Sequence, residues 1–394
     1  MERNYSEASQ ASYELQSQPT LNDTFQPVSN PTPPVFLPDI KGIDLFAGAG
    51  GFSLGALQSG VDIVGALELN EKAAKTYSSN IRRADGQLVP LINGDILPID
   101  PLRAMELWNI KPGECDLIMG GPPCQGFSSH RINDSGVDDP RNKLLCRYFE
   151  YVAAIRPRFF LVENVPGMLW PRHAEYLKQF YSMGSKAQYD IKPPIVLNAC
   201  DYGVMQSRRR VFILGIDRNR PIDIQWPPEQ THVSPTTPED RRNGKPVWKT
   251  SAEAFRPALL GDPNNVHMNH SPTLIELFQN TPPNGGSRWQ SGRVLKCHQG
   301  HTGHNDVYGR IDPTKPAPTM TTACINPSKG RFVHPEEHHG ITLRQAARIQ
   351  TFPENFIFHG GLMASGAQIG NAVPVELAKV IIQQIVSALT LEKK

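Results

Sequence analysis

A cysteine, a glutamate and an arginine run carry the chemistry-bearing side chains of this sequence. Cys124 sits inside Gly120-Gly-Pro-Pro-Cys-Gln-Gly-Phe-Ser128, directly after the apolar run Cys115-Asp-Leu-Ile-Met119. The prolines fix φ and remove backbone donors, and the glycines let backbone and ligand approach closely, so the thiol is expected on a stiff, open loop. A thiolate held that way is a nucleophile. Glu163 follows Arg158-Phe-Phe-Leu-Val162. A carboxyl after four apolar residues is partly desolvated, which raises its pKa and makes it a proton donor near neutrality. Gln206-Ser-Arg-Arg-Arg210 precedes another apolar run, Val211-Phe-Ile-Leu-Gly215. Alternation sends Arg208 and Arg210 to one side and Arg209 to the other, so two guanidinium groups are expected to face one cleft. Each feature has a plain alternative: a turn around a packed cysteine, a strand-end glutamate on the surface, and a solvated charge run.

The elements that must position these groups are short strands and helices of an α/β sheet. Ile40-Lys-Gly-Ile-Asp-Leu-Phe46 predicts a strand, Ala47–Gly55 a glycine-rich turn opening a helix, and Val61–Leu67 a second strand that ends at Glu68. A carboxylate 20 residues after Gly48 is the pattern of a first nucleotide-binding unit, with Glu68 accepting from ribose hydroxyls. The spacing Gly-x-Gly-Gly-x-x-x-Gly is not the dinucleotide fingerprint, however. A third strand ends in Asn93-Gly-Asp95, adding another acid at the same edge. Clustered carboxylates repel a pyrophosphate and suit a cationic, adenosine-bearing cofactor, so S-adenosylmethionine fits better than NAD. Residues 129–142 have the polar profile of a lid, and Leu144, Leu145, Phe149, Val152 and Ile155 mark the apolar face of a helix over 143–155.

Composition divides the rest. Residues 1–38 are rich in Ser, Gln, Asn, Thr and Pro and predict a disordered tail. A catalytic domain is expected over 39–216, a loop-rich second domain over 217–340, and a return segment with a C-terminal helix over 341–394. Leu377, Val380, Ile381, Ile385 and Leu389 should dock that helix on the first domain. Residues 1–39 hold one basic and five acidic side chains, which leaves 39 basic against 33 acidic in the remainder, compatible with a polyanionic partner. The six cysteines are scattered without a Cys-x-x-Cys pair, as expected of reduced thiols in the cytoplasm and not of a zinc module. No run approaches the ~18 apolar residues of a membrane span. His298, His301 and His304 are spaced like metal ligands but lack a carboxylate or cysteine partner, and no metal is expected.

Taken together and in order, these strings resemble the DNA (cytosine-5)-methyltransferases from about residue 42 to the C-terminus. Asp44-Leu-Phe-Ala-Gly-Ala-Gly-Gly-Phe52 is similar to the family's cofactor motif, Gly121–Ser128 to its nucleophile motif and Glu163-Asn-Val165 to its third signature. Gln206–Arg210, Arg344–Pro353 and Gly370-Asn-Ala-Val-Pro374 complete the set. The resemblance implies a Rossmann-like S-adenosylmethionine-dependent methyltransferase sheet with a smaller, loop-rich, mostly β target-recognition domain. It implies that Phe46, Gly48, Gly50, Glu68, Asp95, Pro123, Leu144, Asn371 and Val373 surround S-adenosylmethionine. Cys124 would be the nucleophile, Glu163 the group on the base's N3, Arg208 and Arg210 the pocket's cations, and Ser128 and Thr319 contacts to the flipped nucleotide. The partner implied is double-stranded DNA, with a cognate restriction endonuclease acting on the same site, in a monomeric protein of the bacterial cytosol. The rivals are a tRNA cytosine methyltransferase, whose relatives carry a Cys-Phe-Thr string absent from this target region, a silent DNA-binding relative, and a small-molecule methyltransferase of the same cofactor fold.

Overall fold

The computed structural model describes residues 40–122, 140–292 and 306–392, with backbone alone at 140–142. Pro123, Cys124, Ser128, the three histidines at 298, 301 and 304, the tail 1–38 and most of the expected lid lie outside the described residues.

Largely apolar runs of three to nine residues, separated by glycine or proline turns and by helices, build the sheet in chain order. They are β1 (Lys41–Leu45), α1 (Gly51–Gln58), β2 (Asp62–Glu68), α2 (Glu71–Asn80), β3 (Leu91–Asn93), α3 (Pro101–Leu107), β4 (Leu117–Gly120), α4 (Pro140–Ile155) and β5 (Phe159–Asn164). Then come α5 (Ala174–Lys186), β6 (Tyr189–Ile191), β7 (Ile195–Asn198) and β8 (Arg209–Asp217). The strand order is β3-β2-β1-β4-β5-β8-β6, with β7 also pairing β8. The first five strands are parallel and β8 runs antiparallel to β5, so the carboxyl ends of β1 to β5 share one edge. That edge is where an open α/β sheet binds ligands.

Alternation assigns the faces. In β5, Phe159 and Leu161 enter the core under α1 and the C-terminal helix, while Phe160 and Val162 enter the core under α3, α4 and α5. Both faces are therefore buried, which is why the run reads as continuously apolar. After α6 (Pro272–Gln279), the chain returns through α7 (Leu343–Ile349), α8 (Gly361–Asn371) and α9 (Val375–Glu392). Thr342 caps α7 reciprocally with Gln345, as a threonine before an apolar run predicts. Leu377, Ile381, Ile385 and Leu389 of α9 are buried. Contact with α1 is close enough that a Cβ on Gly55 would lie 2.6 Å from the Ala378 Cβ. The stretch 361–392 is, contrary to expectation, long and apolar enough to cross a membrane, but 67% of its most apolar window is buried in this protein.

The region after β8 corrects one expectation. Among its described residues it is loop-rich but not mostly β: it holds α6, short 3-10 turns and isolated bridges such as Val233 with Val247 and Arg310 with Val333. Ala317 shows the reason. It bridges to Gln206, donating to the Met205 carbonyl and accepting from the Ser207 amide, but Pro316 and Pro318 on either side have no N–H with which to extend the ladder.

Candidate active site

The turn after β1 is held by the strand beside it. Phe46, Gly48 and Gly50 take φ values of 62°, 56° and 95°, a conformation that costs glycine little. The Ala47 amide donates to the Leu67 carbonyl at 3.0 Å. The Glu68 carboxylate accepts from the Gly48 amide at 2.8 Å and the Asn70 amide at 2.7 Å. A carboxylate has about four lone-pair sites, so Glu68 keeps acceptor capacity for a ligand. The Asn93 side chain and the Gly94 amide both donate to the Glu68 carbonyl, which brings the end of β3 and the exposed Asp95 to the same corner. Phe46 and Leu144 pack partly against the α3–α4 core. Val373 meets the turn from α9's side: a Cβ on Gly51 would lie 2.4 Å from its carbonyl oxygen. Asn371 is exposed at the end of α8.

Beneath this turn lies a network that motif reading did not single out. Ser53 donates to Asp44 Oδ2 at 2.6 Å, and the Tyr77 hydroxyl lies 2.7 Å from Ser53 Oγ. Asp44 Oδ1 is buried without a partner. Burial pushes the Asp44 carboxyl up to about 7, against the Ser53 hydrogen bond. Its signal in the sequence was a charged residue inside an apolar strand.

At the end of β4 the chain passes between strands. A Cβ on Gly120 would sit 2.6 Å from the Leu45 carbonyl, and one on Gly121 would sit 3.3 Å from Glu163 Oε2. Asn164 donates its side-chain amide to the Pro122 carbonyl at 3.3 Å. Gly121 and Pro122, just before the Cys124 segment, are thus tied to β5 beside Glu163.

Glu163 faces Arg210, with Oε1 and Nε 3.0 Å apart and both side chains largely buried. The β5–β8 register explains the meeting: Glu163 pairs with Phe212, and Arg210 lies two residues along the same face. Burial raises the Glu163 pKa, while Arg210 and then Arg208 pull it down. Arg208 is placed differently from a cation presented to an open pocket. It is buried and donates to the carbonyls of Met320 at 2.7 Å, Gly370 at 2.8 Å and Ala372 at 3.1 Å. Burial and the neighbouring Arg210 lower its pKa to about 9. Thr319 lies on the strip that bridges residues 205–207 and donates its hydroxyl to the Ser207 carbonyl at 2.7 Å. No group of three metal-ligating side chains occurs among the described residues.

A mixed sheet with a glycine-rich acidic corner at the carboxyl ends of its parallel strands, and a buried glutamate–arginine pair beside Gly121, has the fold of a Rossmann-like methyltransferase. Residues 40–387 match the family described as C-5 cytosine-specific DNA methylase, and the chain belongs to it: it is a DNA cytosine-5 methyltransferase. It is 32% identical over 385 residues to the Type II methyltransferase M.DdeI of Desulfomicrobium norvegicum, covering 87% of this chain and 88% of that protein. Against the Type II methyltransferase M1.HphI of Haemophilus parahaemolyticus it is 31% identical over 357 residues, covering 89% and 87%. A candidate DNA modification methyltransferase encoded within an E. coli prophage shares the fold, with a TM-score of 0.67 at 24% identity over 89% of this chain and 99% of that one.

Proposed function

We propose that the protein methylates C5 of a cytosine in a specific double-stranded DNA sequence through a covalent adduct between Cys124 and C6 of a flipped base. The observation that carries this is the buried Glu163–Arg210 pair, which lies against Gly121 three residues before the cysteine. Cytosine C5 is a poor nucleophile. Attack of the Cys124 thiolate on C6, with Glu163 protonating or hydrogen-bonding N3, makes C5 electron-rich. C5 then gains the methyl group, a base removes its proton, and the C6–sulfur bond breaks to return the thiolate. Arg210 stabilises charge on O2 and restrains Glu163; Arg208 braces the backbone around them. The reacting carbons are closed off within a stacked duplex, so the base leaves the helix, with 125–142 and the target region around it, Ser128 and Thr319 included.

S-adenosylmethionine supplies an electrophilic methyl group on a sulfonium. The corner at Gly48 fits it: a Cβ there would meet nothing within 4 Å, so the turn is open to a ligand. Glu68 and Asp95 offer carboxylates to hydroxyl and cationic groups, with Phe46, Gly50, Pro123, Leu144, Asn371 and Val373 around them. The domain division at 216 and 340 belongs to the same proposal. The Type II relatives support protection of DNA against a cognate endonuclease acting on the same site; a monomer in the cytoplasm belongs to the same proposal.

Expression beside unmethylated plasmid, with bisulfite sequencing, tests the reading. Methylation in one short context, abolished by Cys124→Ser, is expected; unchanged methylation in that variant overturns it. Glu163→Gln should slow methyl transfer by roughly 10²–10⁴-fold.

A further inference from the structure

Two buried glutamines lie between the target region and the cofactor corner. Gln350, at the end of α7, donates its Nε2 to the Ile369 carbonyl at 2.6 Å and the Ala372 carbonyl at 3.2 Å. Its Oε1 accepts from Gln206 Nε2 at 2.8 Å. Gln206 Oε1 in turn accepts from the Met320 amide at 2.7 Å. Both side chains are fully buried, so every one of these groups exchanges a protein partner for nothing if its neighbour is removed.

The chain of bonds has two ends. One is the strip Thr319–Met320, whose two neighbouring main-chain groups at Met320 are taken by Gln206 and Arg208. The other is the end of α8 and the turn that follows it, 369–373. Ala372 is held there by both Gln350 and Arg208, and Ala372 and Val373 pack on Gly51 of the turn after β1. Close approach also fixes Gly370, where a Cβ would lie 2.0 Å from the Thr321 carbonyl oxygen. A shift of the strip cannot leave the turn in place without breaking a buried amide contact.

We infer that Gln350 and Gln206 are a positioning pair that couples the target-region strip at Thr319–Met320 to the cofactor turn at 369–373. This rests on the proposed reading of that turn as part of the S-adenosylmethionine corner. Neither glutamine touches a reacting atom; their effect is exerted through the backbone they hold.

The test is steady-state methylation of an unmethylated plasmid carrying the site mapped by bisulfite sequencing, with S-adenosylmethionine varied. Gln350→Leu is expected to raise the KM for S-adenosylmethionine about 10-fold while kcat at saturating cofactor stays within about twofold. Gln206→Leu should raise the plasmid KM and also the cofactor KM. In the double variant the cofactor effect should fall well short of the product of the single effects, because one relay is broken twice. Unchanged KM values with a lowered Tm would make the glutamines merely structural and overturn the inference, as would fully multiplicative effects. If Gln350→Leu does not fold, Gln350→Met, which keeps length and volume, is read by the same criteria. Absence of cofactor binding to the wild-type protein in calorimetry with S-adenosylhomocysteine would instead refute the reading of the corner itself.

Discussion

The sheet and the region after β8 satisfy their backbones in different ways. In the sheet, parallel and antiparallel ladders pair strand amides with strand carbonyls, and apolar side chains fill both faces. After β8, prolines and glycines interrupt such ladders, and arginines take over. Arg310 is buried and donates to the carbonyls of Phe278, Thr281, His334 and Glu337. Arg344 of α7 pairs with Asp262 through two contacts of 2.5 and 3.0 Å and also reaches the Pro353 and Phe356 carbonyls. A guanidinium carries five donors in a rigid fork, so one side chain can gather several loop carbonyls that a strand would have paired singly. Regular sequence builds order through repetition; irregular sequence does it through a few irreplaceable cations.

The largest break in that contrast should come from Arg344→Leu. Both partners of the Arg344–Asp262 pair are 1% exposed, so the variant leaves a buried carboxylate without its cation. Removing one member of a buried pair costs about 3–5 kcal/mol. Urea denaturation should show a loss of that size, and hydrogen exchange should place the lost protection around Asp262 and 343–358 before the sheet. A loss below about 1 kcal/mol would mean that the loops do not depend on the arginine.

The same contrast governs what could be read in advance. The strands, the capping threonine at 342 and the α9 face were legible because periodicity and local caps are properties of neighbouring residues. Glu163 was legible as a desolvated acid for the same reason. Arg208 was legible as one of two cations on one side of a strand, but its bonds to residues 320, 370 and 372 cross separations that no local pattern encodes. Gln206 and Gln350 stood inside recognised strings without a role, because an amide's partners are set by packing. The β character expected after β8 failed at residues such as Ala317, where β-favouring threonines nearby are overridden by flanking prolines. Cys124 and Ser128 lie outside the described residues, so their roles rest on chemistry and resemblance.

A second break concerns the sheet's own exception, Asp44. Its folded pKa of about 7 lies above the ordinary 3.8, so the folded state favours the proton. The stability associated with it is fully present below about pH 4 and is lost as pH rises through 7. Asp44→Asn, which keeps an acceptor for Ser53, should stabilise the protein at pH 8 by up to about 4 kcal/mol and change little at pH 4. Thermal melts of both proteins across that range check it; an equal shift at both pH values would show that the charge is not the cause.

The smallest effect has the opposite sign and belongs to the region after β8. His334 Nδ1 accepts from the Glu337 amide at 2.9 Å and from the Glu336 amide, and His270 Nε2 accepts from the Gly340 amide at 3.0 Å. A nitrogen that accepts cannot also carry a proton. The rings of His267 and His339 stack with centroids 3.9 Å apart; burial and then His339 lower the His267 pKa, against the Met268 carbonyl and Glu337. Burial first, then these neighbours, bring His270 and His334 down to about 4 from an ordinary 6.5. A depressed folded pKa contributes stability above 6.5 that is lost as pH falls toward 4. Acidification from pH 7 to 5 should therefore loosen residues 264–270 and 334–340 in hydrogen exchange while the sheet around Asp44 tightens. His334→Asn, which presents an acceptor near the Nδ1 position without a titrating proton, should flatten the first slope and leave the second. Loosening of both regions together on acidification would mean that their pH responses are not set by these separate buried groups.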